Sequence, residues 1–302
     1  MAGTSPAMTK IALDQLNAMN EADFTAALAD IYEHSAWVAQ EASARRPFAK
    51  LSALHNAMAE AVRDAPAEAR MTLIRAHPDL AGKAARAGAL TADSTSEQSS
   101  VGLDRLSEAE FARFHQFNNS YQAKFGIPFI VCVRRHTKDS ILSEFERRIA
   151  QDSVGEIDTA LTEIFRIAAL RLDQKVSAAE GLDLGGHLST HVLDVHAGAP
   201  AANVPIELWE LSKHGEDRPI LRTVTNKDGR TDKPLIGGRP VPIGAYELRF
   251  SVAGYYSGRG VALAEPPFLD VVPIRFSVSD PEGHYHVPLV VSPWSFATYR
   301  GS

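Results

Sequence analysis

Two hydrophobic periods divide the chain. Between about residues 20 and 175, apolar side chains recur every three or four positions, the spacing of one face of a helix. Asn20 is placed to cap a helix that turns Phe24, Ala27, Leu28 and Ile31 inward. Leu51, Leu54, Met58, Ala61 and Val62 form a second stripe. Ser107 and Glu110 have capping-box spacing ahead of Phe111, Phe114 and Tyr121, and Gly126 suits the helix end. Ser153 and Glu156 repeat that spacing ahead of Ile157, Leu161, Ile164, Ala168 and Leu172. These stripes predict an all-α domain.

From about residue 188 the period becomes two. Val204, Ile206 and Leu208 alternate with Pro205 and Glu207. Tyr246, Leu248, Phe250 and Val252 alternate with Glu247, Arg249 and Ser251. Ile274, Phe276 and Val278 alternate with Arg275 and Ser277. Turn-forming residues separate these runs at Lys227-Asp228-Gly229, Ile236-Gly237-Gly238 and Asp280-Pro281-Glu282-Gly283, a pattern that predicts a β-sandwich. The small-residue stretch 177–186 reads as a linker. The expected organisation is multidomain α plus β: an all-α domain over 10–176, a linker over 177–186 and a β-sandwich over 187–302.

Composition narrows the partners. With 302 residues the chain accommodates two ordinary domains, and 45% apolar with 23% charged residues is a globular balance. A formal charge of −6 carries no basic footprint for nucleic acid or an anionic membrane. The longest apolar run, Ile127 to Val133, falls far short of the roughly 20 residues that span a bilayer. The opening residues lack a charged-then-apolar leader pattern, so a cytoplasmic location is the expectation. The single cysteine, Cys132, lies in an apolar strand-like run and reads as a small buried hydrophobe.

Candidate chemistry in the second half gathers late in the chain. His284 and His286 alternate and so share one strand face, with Tyr285, Val287 and Leu289 on the other. Hydrolysis in general needs a base for water and a donor for a developing oxyanion, tasks suited to histidine and arginine. His191, Arg230, His286 and the terminal Tyr299-Arg300-Gly301-Ser302 supply such groups. The stretch from His284 to Ser302 resembles the closing motif of the 5-hydroxyisourate hydrolases, the transthyretin-like enzymes of urate breakdown. Leu188-Ser189-Thr190-His191-Val192-Leu193-Asp194 and Thr225-Asn226-Lys227-Asp228-Gly229-Arg230-Thr231 are similar to further motifs of that family. The resemblance implies His191, Arg230 and His286 as catalytic residues, Tyr299, Arg300 and Ser302 as pocket residues, and a homo-oligomer formed through the sandwich. One rival is a zinc site on His191, His196, His284 and His286, which the poor spacing of Cys and carboxylate ligands disfavours, so no metal is expected. Another is a transthyretin-like ligand-binding protein with one or both sites inactive.

The helical half offers a second set. The residue before a proline is pushed out of the helical conformation, so His77-Pro78 ends a helix with the imidazole at its mouth. Ser94 and Glu97 have capping-box spacing, a purely structural alternative to a binding role. Arg171 interrupts an apolar stripe and needs either an anion, from Glu97 or a ligand, or a route to the surface. Leu73-Ile74-Arg75-Ala76-His77-Pro78-Asp79-Leu80, the run from Leu90 to Gln98, Phe117 to Ile130, and Ile167 to Leu172 together resemble the 2-oxo-4-hydroxy-4-carboxy-5-ureidoimidazoline (OHCU) decarboxylases. That resemblance implies catalytic roles for His77, Glu97 and Arg171, with Arg171 holding the anionic substrate. It also implies that Ser94, Asn119 and the Gly126-Ile127-Pro128 backbone bind substrate. Neither half carries a phosphate loop, flavin fingerprint or Schiff-base lysine motif, so small-molecule substrates and no organic cofactor are expected.

Overall fold

The computed structural model describes residues 10–82, 90–152 and 155–301. They form two compact units. One comprises the chain up to Val133 together with Ile141–Asp183, the other Arg134–Ser140 together with Leu184 onward. Among the described residues no helix is long and apolar enough to cross a membrane.

The first unit is helical. It contains α1 (Leu13–Ala18), α2 (Glu21–Leu28), α3 (Trp37–Ser43), α4 (Leu51–Asp64), α5 (Ala67–Arg75), α6 (Ala92–Ser100), α7 (Glu108–Phe125), α8 (Lys138–Ala150, its first turn counted with the other unit) and α9 (Glu156–Lys175). Asn20 caps α2 by accepting the Asp23 N–H at 2.9 Å. Ser107 and Glu110 close a reciprocal box at α7, and Gly126, at φ 68°, ends it. Of the pair expected to form a capping box ahead of α9, Glu156 alone is among the described residues. Gly155 is the N-cap of α9 and Glu156 the first residue within it, while Ser153 lies outside the described residues. Helix α9 is buried on most of its circumference, from Leu161 through Leu172, and so runs through the core.

Glu156 is occupied elsewhere. Arg148, 1% exposed, donates from Nε to Glu156 at 2.8 Å and from Nη1 to the Ile130 carbonyl at 2.6 Å, and Tyr121 also donates to Glu156. The stretch around Cys132 is therefore not a strand. Its backbone is irregular and buried, with the Cys132 N–H given to Glu163 at 2.8 Å. Charged side chains here do the pairing that a sheet neighbour would otherwise do. A short parallel pair, β1 (Ile11–Ala12) with β2 (Val176–Ser177), joins the two ends of this unit, and Lys10 adds a bond to the Asp173 carbonyl at 2.6 Å.

The second unit is built from strands. β6 (Pro205–Leu211), β7 (Arg218–Val224), β9 (Gly244–Ser251) and β10 (Val271–Val278) form one antiparallel sheet in the order β10-β9-β6-β7. The other layer consists of two short sheets. β3 (Gly186–Ser189) lies between β8 (Ile236–Arg239) and β11 (His284–His286), and β4 (Val192–Asp194) lies between β5 (Ala199–Pro200) and β12 (Leu289–Ser292), with β13 (Ser295–Ala297) outside β12. Ile206, Leu208, Leu248, Phe250 and Ile274 from the first layer pack with Leu188, Val192, Leu289 and Val291 from the second in one core. Two expectations are corrected. Ile236-Gly237-Gly238 is strand β8, not a turn, because it pairs with β3. Val252 does not extend β9 but starts α10 (Val252–Gly258).

Both long strands of that layer break at the same level. β3 gives way to β4 at Thr190-His191, and β11 to β12 at Val287-Pro288. Pro288 has no N–H for a ladder. Thr190 Oγ1 instead donates to the Val287 carbonyl at 2.7 Å, and the Leu289 N–H bonds the His191 carbonyl at 2.8 Å.

Replacing one member of a sealed ion pair leaves the other charge uncompensated, a loss of about 3–5 kcal/mol. Arg148→Met is therefore expected to lower the unfolding free energy of the helical unit by about that amount, measured by urea titration followed by far-UV circular dichroism.

Candidate active sites

In the helical unit the end of α5, the turn before α3, α6 and α9 converge on one guanidinium. Arg171 is 5% exposed. Its Nε and Nη2 grip both oxygens of Glu97 at 2.8 and 2.9 Å. Nη1 donates to Glu33 Oε2 at 2.9 Å and to the Asp30 carbonyl at 3.3 Å, and Nη2 reaches Ser94 Oγ at 3.4 Å. These contacts engage all five donors of the guanidinium. An anionic ligand would have to displace one of them, which alters the expected direct grip of Arg171 on substrate. Burial alone would pull Arg171 down, but Glu97 and Glu33 outweigh it and hold the charge on. Burial likewise opposes ionisation of Glu33, yet bonds from Thr91 and Arg171 keep its carboxyl below the usual range.

His77 is buried beside this cluster. Its Nδ1 lies 3.0 Å from the Leu73 carbonyl. A carbonyl only accepts, so Nδ1 carries the proton and Nε2 keeps its lone pair. Burial drives the imidazole pKa down to about 4, against the upward pull of the Leu73 carbonyl and Glu33. The loop after it is held by two amides: Gln98 accepts the Ala81 N–H at 3.0 Å, and Asn118 donates to the Leu80 carbonyl at 2.8 Å.

The sequence expectations fare unevenly here. His77, Ser94, Glu97 and Arg171 do come together. Ser94 is not the N-cap of its helix, a place Thr91 takes, and is instead the third residue within it, turned to Glu33 at 3.2 Å. Asn119 is exposed and faces His115, whereas its neighbour Asn118 is buried. The Gly126 N–H caps α7 through Gln122, and Pro128 has none to give, so neither offers the expected backbone donor; Ile127 and Pro128 are buried. Glu33, Thr91, Gln98 and Asn118 escaped notice because turn and helix-interior polar residues carry no periodic signal.

In the sandwich the site lies at the level of the strand breaks. His286 ends β11, and its Nδ1 sits 2.9 Å from Ser189 Oγ on the paired strand β3. His191 follows β3 and bridges Arg230 across the Asn226–Arg230 turn. Burial lowers the pKa of both imidazoles, and the exposed Arg230 lowers them further. His191 and His187 add to the depression at His286. The Nε2 atom of His191 is buried without a hydrogen-bond partner among the described residues.

The tail folds back onto this place. The Gly301 N–H donates to the His286 carbonyl at 2.9 Å, and Thr298 Oγ1 to that of Pro288 at 2.8 Å. A Cβ at Gly301 would sit 2.5 Å from Cδ2 of the His286 ring, so only glycine permits this approach. Tyr299 and Arg300 are exposed, with the Arg300 guanidinium 5.3 Å from the Tyr285 ring centre, and Ser302 lies outside the described residues. His284 is exposed beside His187, with ring centres 5.6 Å apart, and His196 packs on Trp294 and Tyr256. The four histidines weighed as zinc ligands therefore do not gather. Among the described residues no three His, Cys, Asp or Glu side chains form a metal-binding group. Ser189 and His187, flanking Leu188 on β3, were missed because a serine and a lone histidine in a strand read as ordinary surface residues.

Comparison with known proteins assigns both units. The family described as OHCU decarboxylase matches residues 17–173, and the HIUase/Transthyretin family matches 188–301. A 5-hydroxyisourate hydrolase of Deinococcus radiodurans is 55% identical over 122 residues, covering 39% of this chain and 100% of its own. A 2-oxo-4-hydroxy-4-carboxy-5-ureidoimidazoline decarboxylase of Haloferax volcanii is 39% identical over 171 residues, covering 57% of this chain and 99% of its own. The crystal structure of an (S)-allantoin synthase is 34% identical and covers 97% of this chain and 100% of its own, with a TM-score of 0.49.

Two outcomes follow from this geometry. With His77 neutral above its depressed pKa, a reaction that used it as a base is expected to be flat around pH 7 and to fall as the pH drops towards about 4, read from a rate–pH profile. Gly301→Ala is expected to lower catalysis at the sandwich site roughly tenfold or more by displacing the His286 ring, measured by steady-state kinetics.

Proposed function

The chain belongs to the OHCU decarboxylase family through residues 17–173 and to the HIUase/transthyretin family through residues 188–301, and on that premise we propose a bifunctional enzyme of urate breakdown. The sandwich opens 5-hydroxyisourate by hydrolysis. The helical unit decarboxylates the product, OHCU, to (S)-allantoin. The observation that carries this reading is the pairing of two families whose substrates follow one another. We take 10–176 and 187–302 as the catalytic bodies and 177–186 as the linker, bounds that the family matches support.

For ring opening, an imidazole held neutral at pH 7 takes the proton of an attacking water. His286, oriented by Ser189, and His191 are the candidates. Arg230, beside both, stabilises the oxyanion. The tail, at Tyr299-Arg300-Gly301, borders the pocket.

For decarboxylation, His77 Nε2 accepts the proton of the 4-hydroxyl. The bond to the carboxylate then breaks, its electron pair passes into the ring as carbon dioxide leaves, and a proton is returned to carbon. Glu97, with 12% of its side chain exposed, is the carboxylate open to a ligand, held in place by the fork of Arg171. Ser94 orients the same group of side chains.

We further propose a cytoplasmic homo-oligomer formed through the sandwich. Strand β13 is an edge among the described residues, and Trp294, Phe296 and Tyr299, in and beside it, stand 61%, 45% and 57% exposed. Such an edge is commonly covered by another chain.

The test follows freshly made 5-hydroxyisourate by ultraviolet absorbance and circular dichroism. The intact chain is expected to remove both intermediates and leave optically active allantoin. His286→Ala abolishes acceleration of the first step only, and His77→Ala allows OHCU to accumulate. Racemic allantoin at the uncatalysed rate would instead favour a binding protein with inactive sites.

A further inference from the structure

The decarboxylase reading gives roles to His77, Glu97 and Arg171 but leaves Glu33 without one. Glu33 is 3% exposed. It accepts from Thr91 at 2.6 Å, from Ser94 at 3.2 Å and from Arg171 at 2.9 Å. We propose that Glu33 is a positioning residue for decarboxylation: through Arg171 it fixes the carboxylate of Glu97. This rests on the decarboxylase reading of the helical unit.

A counter-ion role alone does not account for it. Glu97 already neutralises Arg171 with a two-pronged grip. A second carboxylate leaves the cluster with one surplus negative charge in a place where an excess charge is expensive. Two hydroxyls, Thr91 and Ser94, are spent on solvating it. The next residue, His34, is held at φ 48°, a left-handed backbone that costs a side-chain-bearing residue energy and marks sites where geometry is imposed. The strained turn faces Glu33 inward while His34 stays exposed.

The geometry gives Glu33 two levers. Its grip on Nη1 prevents the guanidinium from rotating, so both oxygens of Glu97 keep a fixed direction. Its charge favours a proton on His77, opposing Arg171 and His34, the other charged and titratable groups that act on that ring. An imidazole that must take a proton and later return one gains from such a neighbour.

Glu33→Gln keeps the shape and an acceptor oxygen but removes the charge. In the full chain we expect kcat for OHCU decarboxylation to fall on the order of tenfold to a hundredfold with KM little changed. The His77 ring resonance should titrate at lower pH than in the parent protein, because an anion that favoured the imidazolium is gone. Ring opening by the sandwich should be unchanged, which reports an intact chain. Glu33→Asp restores the charge with a shorter reach and should return the His77 midpoint towards the parent value while recovering part of kcat. Unchanged kcat in Glu33→Gln, or a lower thermal midpoint with an unmoved His77 titration, overturns the proposal. Should the glutamine variant not fold, Glu33→Asp alone decides: lowered kcat with KM kept supports it, and parental kcat overturns it. A parent protein that fails to decarboxylate OHCU would overturn the underlying reading instead.

Discussion

A guanidinium removed from water must be met by compensating charge and by acceptors for its donors, and the helical unit is arranged around that requirement. Arg148, 1% exposed, is among its most deeply buried side chains, and Arg171 is buried too. Arg171 joins elements far apart in sequence, and Arg148 ties neighbouring ones together. Arg171 links α9 to α6 and to the turn holding Glu33, and Arg148 links α8 to the start of α9 and to the irregular backbone at Ile130. The same constraint that costs stability when a partner is missing gives these contacts their direction. A planar fork bound on several sides has one orientation, and so do the carboxylates that bind it. The geometry of the candidate site around Arg171 and the core structure of this unit are therefore one set of contacts.

The sandwich solves a related problem by interrupting regular structure. A continuous strand would send His191 and His286 along an unbroken ladder with every backbone group paired. The breaks at Thr190-His191 and Val287-Pro288 free the chain locally, and Thr190 repairs the loss with its hydroxyl. Elsewhere the layer keeps its alternation, so the apolar residues on the far sides of the same strands still enter the core.

Much of this was legible in the chain. The helical stripes on α2, α4 and α9 and the period-two runs of β6, β9 and β10 are buried as their spacing requires. His77, Glu97 and Arg171 were placed together by motif and by the need of Arg171 for an anion. What stayed hidden was set by tertiary pairing. Glu156 has the spacing of a cap but is taken by Arg148, and Ile236-Gly237-Gly238 has the composition of a turn but has a strand beside it. Cys132 sits in a run that is apolar enough for a strand, yet Glu163 and Arg148 serve its backbone. Glu33 shows the limit most plainly, since a lone acid in a turn is ordinarily a solvated one.

The pairing of Ile11 with Val176 and Ala12 with Ser177 brings the beginning and end of the helical unit side by side. A body whose entry and exit adjoin can be spliced beside, or into, another polypeptide without stretching either partner, because the junction spans almost no distance. Gene fusion then demands little structural invention: the newcomer arrives already closed on itself. The same adjacency makes this unit a natural candidate for circular permutation, with new ends opened at an exposed turn and the old ones joined across β1 and β2.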